Sequence, residues 1–279
     1  MRVLVLGSTG VLGTALCSAQ RTGTEITGVS RALCDVTDLV QIADMVAAHR
    51  PDAVVNAAAL PDTRSCEADP QQAWAVNALG ARNVALAANT VDALCVQISG
   101  NIVFRPSLHA RHEWDHPDNP HGVLATAKTA AEGYIRTLAA NPVIVRTACL
   151  FGNRAGGTPG GLVGRVLRHA ADHTPLHMTA DTVTDAAYAQ DVADAVLDLA
   201  TVGHPGIYHL VNDGTTTPAE LARKVLDLSG LPAAVTTRTS DFEQRLLAHD
   251  LTEACGIRLR PLDEALAAYL TPAPEKSPE

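Results

Sequence analysis

Short apolar runs alternate along this chain with longer, Ala-rich stretches in which apolar residues recur every three to four positions. The runs Arg2 to Leu6, Glu25 to Ser30, Ala53 to Asn56, Leu94 to Ser99 and Pro142 to Thr147 predict strands. Between them, Val11 to Ala19, Leu39 to His49, Gln71 to Asn89 and Ala125 to Ala139 predict helices. Such alternation specifies βαβ units and a parallel sheet. Val3 to Leu6 is apolar at every position, as expected for a strand covered by helices on both faces, so the sheet should be doubly wound.

After Gly152 the rhythm breaks into a Gly-rich turn. Helices are expected near Gly161 to Asp172, over Asp191 to Ala200, over Pro218 to Leu228 entered through Thr217, and over Leu262 to Leu270. Strand-like pieces fall at Pro175 to Met178 and Gly206 to Val211. The expected division is a sheet domain of residues 1–152 plus 187–211 and a smaller C-terminal substrate-binding lobe of residues 153–186 plus 212–279. The tail from Thr271 to Glu279, with three prolines, should fray.

Composition narrows the class. With 279 residues, 47% hydrophobic and 18% charged, the chain can bury a core large enough to offset the entropy of folding. No apolar run approaches the roughly 20 residues needed to cross a bilayer. The segment Val3 to Leu6 stops at Gly7, too short for a signal peptide. A net charge of −9 without a run of Lys or Arg argues against nucleic acid and points to a small-molecule partner. Six cysteines without a CxxC pair read as reduced, largely buried thiols of a cytoplasmic protein. Eighteen Arg stand against three Lys, so a well-placed lysine is informative.

The first strand runs into Gly7-Ser8-Thr9-Gly10-Val11-Leu12-Gly13 and then directly into a helix. One glycine permits the tight turn, one lets backbone N–H groups approach a pyrophosphate, and one lets helix and strand pack closely. This pattern, in the first unit of an α/β chain, predicts a dinucleotide cradle. At the end of the second strand stand Ser30 and Arg31, with no carboxylate before Asp35. A hydroxyl and a guanidinium suit a 2′-phosphate, so NADP(H) is expected, with NAD the other choice if Arg31 is only a solvated loop residue.

Beyond the glycine turn, Asp35-Val36, Asn56-Ala57-Ala58-Ala59 and Val76-Asn77 resemble an extended short-chain dehydrogenase/reductase. Val145-Arg146-Thr147 to Phe151-Gly152, Gly206 to Leu210 and Arg260-Pro261-Leu262 are similar to its dTDP-4-dehydrorhamnose reductase branch. The resemblance implies a Rossmann domain and a lobe for a nucleotide sugar or similar substrate. It also implies that Asp35 and Val36 flank the adenine, that Ala57, Ala58 and Ala59 line the cofactor, and that Lys128 holds the nicotinamide ribose. Relatives that pair through sheet-domain helices imply a homodimer.

Two catalytic positions of the family depart. The family tyrosine lies four residues before the lysine, where this chain has Leu124. The family Thr or Ser at the end of the fourth strand corresponds to Gly100. Leucine cannot donate a proton, and loss of general acid catalysis costs a factor of roughly 10² to 10⁴. Lys128 could serve as the acid itself, or be only a surface lysine. His121, one turn before Leu124, is another candidate acid, set against the reading that the loop of His109, His112, Glu113, Asp115, His116 and His121 is merely solvated. The His109, His112, His116 spacing suits a helical zinc site, but in a loop beside prolines no metal is assigned. Ser99 and Asn101 could hydrogen-bond a substrate oxygen. Arg64 stands at a family aspartate, facing either an anion or Glu67.

Three functions remain open. The first is a biosynthetic oxidoreductase that reduces a carbonyl or imine with a non-standard proton donor; an iminium would not need so strong an acid. The second is a redox-neutral enzyme reusing the pocket. The third is a non-catalytic NADP-binding subunit, as the regulatory subunit of methionine adenosyltransferase is among similar proteins.

Overall fold

The computed structural model describes residues 1–119, 121–239 and 243–271, so Pro120 and the tail beyond Thr271 lie outside the described residues. Its sheet domain opens with β1 (Arg2–Leu6), α1 (Val11–Ser18), β2 (Glu25–Val29), α2 (Leu39–His49) and β3 (Ala53–Asn56). It continues through α3 (Thr63–Ala68), α4 (Pro70–Trp74), α5 (Gly80–Asn89), β4 (Leu94–Gly100), α6 (Val123–Leu138) and β5 (Pro142–Thr147). The strand Gly206–His209 completes a six-stranded sheet in the order Gly206–His209, β5, β4, β3, β1, β2, with every neighbour parallel.

Period-two alternation explains the two cores. Val3 and Val5 point to one face, where they join Val55, Val96 and Val143 under α1 and the helix Ala189–Val202. Leu4 and Leu6 point to the other, against Val54, Ile42 of α2, Val84 of α5 and Ile135 of α6. A third core joins Phe151, Val163, Val166, Leu176 and Met178 to Leu221, Val225 and Leu266, beneath the helices Gly161–Ala171, Pro218–Ser229 and Leu262–Leu270. Thr217 caps the second of these helices as expected. Its Oγ1 accepts from the Glu220 N–H at 3.2 Å while its own N–H donates to Glu220 Oε2 at 2.9 Å.

The helix expected over Gln71 to Asn89 forms without a break, α4 passing through a π-helical turn Ala75–Leu79 into α5. The π turn places Asn77 so that its side chain accepts from Leu60 N–H at 2.9 Å and donates to Leu60 O at 3.0 Å. This tertiary bond pins the segment after β3, which Ala-rich periodicity cannot reveal. The cysteines are also less uniform than expected: Cys34, Cys66 and Cys95 are buried, whereas Cys17, Cys149 and Cys255 are exposed. Among the described residues no helix is long and apolar enough to cross a membrane.

Candidate active site

The chain turns sharply at the end of β1. Gly7 sits at φ +81°, and its N–H and that of Ser8 donate to Val29 O of β2 at 3.0 and 3.2 Å. A Cβ on Gly7 would fall 2.6 Å from Ala58 N, and one on Gly13 would fall 2.1 Å from Gly7 O. Only glycine fits at either place. Gly10 caps α1 without any side-chain hydrogen bond, and the first turn carries no acidic residue. The first N–H groups of a helix lack intrahelical acceptors and carry a partial positive charge, so this end suits a phosphate. The residues after Asn153 close over it. Ala155 N–H donates to Thr9 O at 3.3 Å, and Gly160 leaves so little room beside Val11 that a Cβ would approach Val11 Cγ2 to 2.3 Å.

The other cofactor-side residues gather around the same edge of the sheet. Ala57 N–H continues the ladder to Leu6 O at 3.0 Å, and Ala58 N–H donates to Asn56 Oδ1 at 3.3 Å. Ser30 O accepts from Leu33 and Cys34 in the turn after β2. Arg31 is exposed, and its Nε donates to Asp35 Oδ2 at 3.1 Å. The Thr37 N–H, with Arg31 alongside, holds the Asp35 carboxyl below its ordinary range. Val36 is buried beneath Gly80, where a Cβ would come within 2.9 Å of Val36 Cγ2.

At the end of β4 lies the polar centre. Lys128 on α6 is buried and its Nζ donates to Ile98 O at 2.9 Å. Burial pushes the ammonium down to about 8, against the opposing pull of Glu132. Leu124, one turn earlier, is 6% exposed and packs with Cys66, Ala73, Ile102 and Leu60. Three of the tyrosines are engaged elsewhere. Tyr188 stacks on Phe151, Tyr208 OH donates to His204 O, and Tyr269 OH bonds Asn153.

Ser99 does not present its hydroxyl to an open site, because it donates to Glu132 Oε1 at 2.6 Å. Glu132 in turn receives Arg146 Nε at 3.0 Å and a second guanidinium nitrogen at 2.8 Å. The wholly buried Arg146 lies 4.7 Å from the Phe104 ring centre and donates to the carbonyls of Glu113 and Asp115. This network ties the loop after β4 to the sheet. His121 is exposed and stands before α6. Among the described residues no ion pair joins Arg64 to Glu67, whose Oε1 accepts from Val123 N–H at 2.7 Å, at the start of α6.

Asn101 has turned to the second lobe. Its Nδ2 donates to Thr184 Oγ1 at 3.2 Å. Next to it, Asp185 is 5% exposed and accepts from Leu247 N–H at 2.7 Å. Burial drives its carboxyl up to about 7, although the Leu247 N–H favours the charged form. Sequence reasoning missed this group because Thr184-Asp185 lies in a stretch without a motif. Arg146 did leave a signal, a guanidinium following Val143, Ile144 and Val145 in a buried strand, which requires a buried counter-charge.

A glycine cradle at the first strand–helix turn of a doubly wound sheet, with a buried lysine on the helix after β4, defines an extended short-chain dehydrogenase/reductase. Within that class the chain belongs to the family described as RmlD substrate binding domain, whose profile matches residues 1–271. The spore coat polysaccharide biosynthesis protein SpsK of Bacillus subtilis (strain 168) is 30% identical over 278 residues, 96% of each chain. A dTDP-4-dehydrorhamnose reductase of Streptomyces griseus is 36% identical over 247 residues, 86% of this chain and 80% of that one. Among solved structures, a dTDP-4-dehydrorhamnose reductase of Clostridium acetobutylicum ATCC 824 superposes with a TM-score of 0.88 at 25% identity, covering 96% of this chain and 98% of that one. The fold is also that of a dTDP-4-dehydrorhamnose reductase of Bacillus anthracis str. Ames in complex with NADP, with a TM-score of 0.89, 24% identity and the same coverage.

Proposed function

We propose that this protein binds NADP(H) and reduces the carbonyl, or an imine, of a nucleotide sugar, with a proton donor other than tyrosine. The observation that carries the reading is the glycine cradle. At Gly7 and Gly13 a Cβ would strike backbone, so the turn and the start of α1 are drawn tightly together, and that start carries neither a side-chain cap nor an acidic residue. Relatives named dTDP-4-dehydrorhamnose reductase support the substrate class.

When bound, the reduced nicotinamide supplies a hydride. The Val11, Leu12 and Gly13 N–H groups hold its pyrophosphate, and Ser30 with Arg31 holds the adenosine 2′-phosphate. Arg31 keeps its terminal nitrogens for this while its Nε is bound to Asp35. Asp35 and Val36 flank the adenine, and Ala57 to Ala59 line the cofactor. Lys128 holds the nicotinamide ribose.

The test is uptake of NADPH by the purified protein, followed by loss of reduced-nicotinamide absorbance on addition of dTDP-4-dehydrorhamnose. Tight binding with oxidation supports the reading, and failure to bind NADPH defeats it. Leu124 and Gly100 favour a second reading, a non-catalytic NADP-binding subunit, which binding without oxidation would select.

Lys128→Met should weaken NADPH binding about ten- to hundredfold, the worth of a charge-assisted hydrogen bond. Titration calorimetry measures it. With its pKa lowered to about 8, Lys128 loses its charge above that pH, so wild-type affinity should fall there and that of the Met variant should not. Equal affinities would remove Lys128 from the cofactor site.

A further inference from the structure

We infer that Asp35 is a positioning residue for cofactor choice: its carboxylate tethers the Arg31 guanidinium where the adenosine 2′-phosphate binds, and so favours NADP(H) over NAD(H). This rests on the NADP(H) reading above. It goes beyond that reading by giving the Asp35 carboxylate a role toward Arg31 instead of toward the adenine ring.

The end of β2 is fastened to the glycine turn, because Val29 O accepts from both the Gly7 and the Ser8 N–H. Ser30 and Arg31 are the next two residues, so they leave the sheet at its carboxyl edge beside the cradle. In doubly wound folds the adenosine ribose lies there, and a nearby guanidinium accommodates a 2′-phosphate. The segment that follows is held firmly. Ser30 O accepts from the Leu33 and Cys34 N–H groups at 3.0 and 3.1 Å, and Asp35 O accepts from the Asp38 N–H at 2.9 Å. Asn83 Nδ2 on α5 donates to Val36 O and Thr37 O at 3.1 and 3.2 Å.

Both oxygens of the Asp35 carboxylate are taken up within this turn. Oδ1 accepts from the Thr37 N–H at 3.0 Å and from the Thr37 hydroxyl at 2.9 Å, while Oδ2 accepts from Arg31 Nε at 3.1 Å. The Asp35 N–H is bound as well, to Gln41 Oε1 at 3.0 Å. A bond at Nε leaves the terminal nitrogens of Arg31 as a fork, the shape that meets two phosphate oxygens at once. The Arg31 side chain is 67% exposed, and an arginine so exposed samples many rotamers unless it is tethered. Fixing it before the cofactor arrives lowers the entropy lost on binding. The guanidinium and the two Thr37 donors offset the Asp35 charge locally, so the phosphate meets the fork and not a bare carboxylate.

The test is calorimetric titration of NADPH and of NADH into wild type, Asp35→Asn, Arg31→Met and the double variant, with thermal unfolding of each. In Asp35→Asn the amide oxygen can stay with Thr37, which puts an N–H donor opposite Arg31 Nε, so the turn is kept and the tether is lost. Its NADPH affinity should fall about two- to fivefold, the worth of an exposed ion pair, with NADH affinity unchanged. Arg31→Met should weaken NADPH alone by about tenfold or more, and adding Asp35→Asn to it should cost nothing further. Equal losses for both cofactors would mean that Asp35 serves the adenine or the fold. A loss that persists in the Arg31→Met background would mean that it does not act through Arg31. Tighter NADPH binding by Asp35→Asn would mean that the carboxylate repels the phosphate. Each of these, or an unchanged preference, overturns the inference. Arg31→Met with full NADPH affinity removes Arg31 from the cofactor site and the inference with it, whereas a wild type that binds neither cofactor overturns the NADP(H) reading itself.

Discussion

Glu132→Ala should destabilise the protein by about 3–5 kcal/mol, because it leaves a buried guanidinium without its counter-charge. Arg146 and Glu132 are both at 2% or less side-chain exposure, so water cannot replace the lost carboxylate. What remains to Arg146 is the Glu113 and Asp115 carbonyls at 3.2 and 3.3 Å, a contact of 3.4 Å to His209 Nε2, and the face of Phe104. None of these is anionic. His209 stays neutral beside it, since burial, with Arg146 next, pushes its pKa down to about 3. Urea unfolding measures the loss. Glu132→Gln, which preserves shape and some hydrogen bonding, should cost less, and adding Arg146→Met to Glu132→Ala should recover part of the stability. A Glu132→Ala protein within about 1 kcal/mol of wild type would show that the pair is not the anchor of the loop after β4.

The consequence for the site is specific. Ser99 donates to the same carboxylate, and Lys128 lies one turn before Glu132 on α6. The network therefore orients α6, and with it the lysine, against β4.

Much of this was readable from local rules. The bounds Leu39–His49 and Leu262–Leu270 follow from apolar periodicity with end signals, and the Thr217 cap follows from Ser/Thr-x-x-Glu logic. The cradle was legible because its three glycines fall within seven residues at the first strand–helix turn, two of them, Gly7 and Gly13, where a Cβ would strike backbone. Lys128 stood out by the rarity of lysine. Asp185 did not, because its burial and its Leu247 partner come from a segment 62 residues away. The π turn at Ala75–Leu79 was hidden for the same reason, since Asn77 serves Leu60, 17 residues earlier. The direction of Ser99 lay between these cases. Strand parity places it opposite Ile98, toward α6, but only the structure shows Glu132 as the acceptor.

Leu124→Tyr should raise NADPH-dependent turnover by about 10² to 10⁴, the contribution expected of a recovered general acid. Positions 124 and 128 are i and i+4 on α6 and share a face, so a phenol at 124 meets the Lys128 ammonium. That cation would lower the phenol's pKa toward neutrality. The ring is larger than the leucine it replaces, and Cys66 and Ala73 of the same cluster are wholly buried, so its neighbours have to shift to admit it. If Leu124→Tyr folds, binds NADPH and gains nothing, the proton was never limiting. The pocket would then be shaped for an iminium that needs no strong acid, or for a cofactor held without turnover.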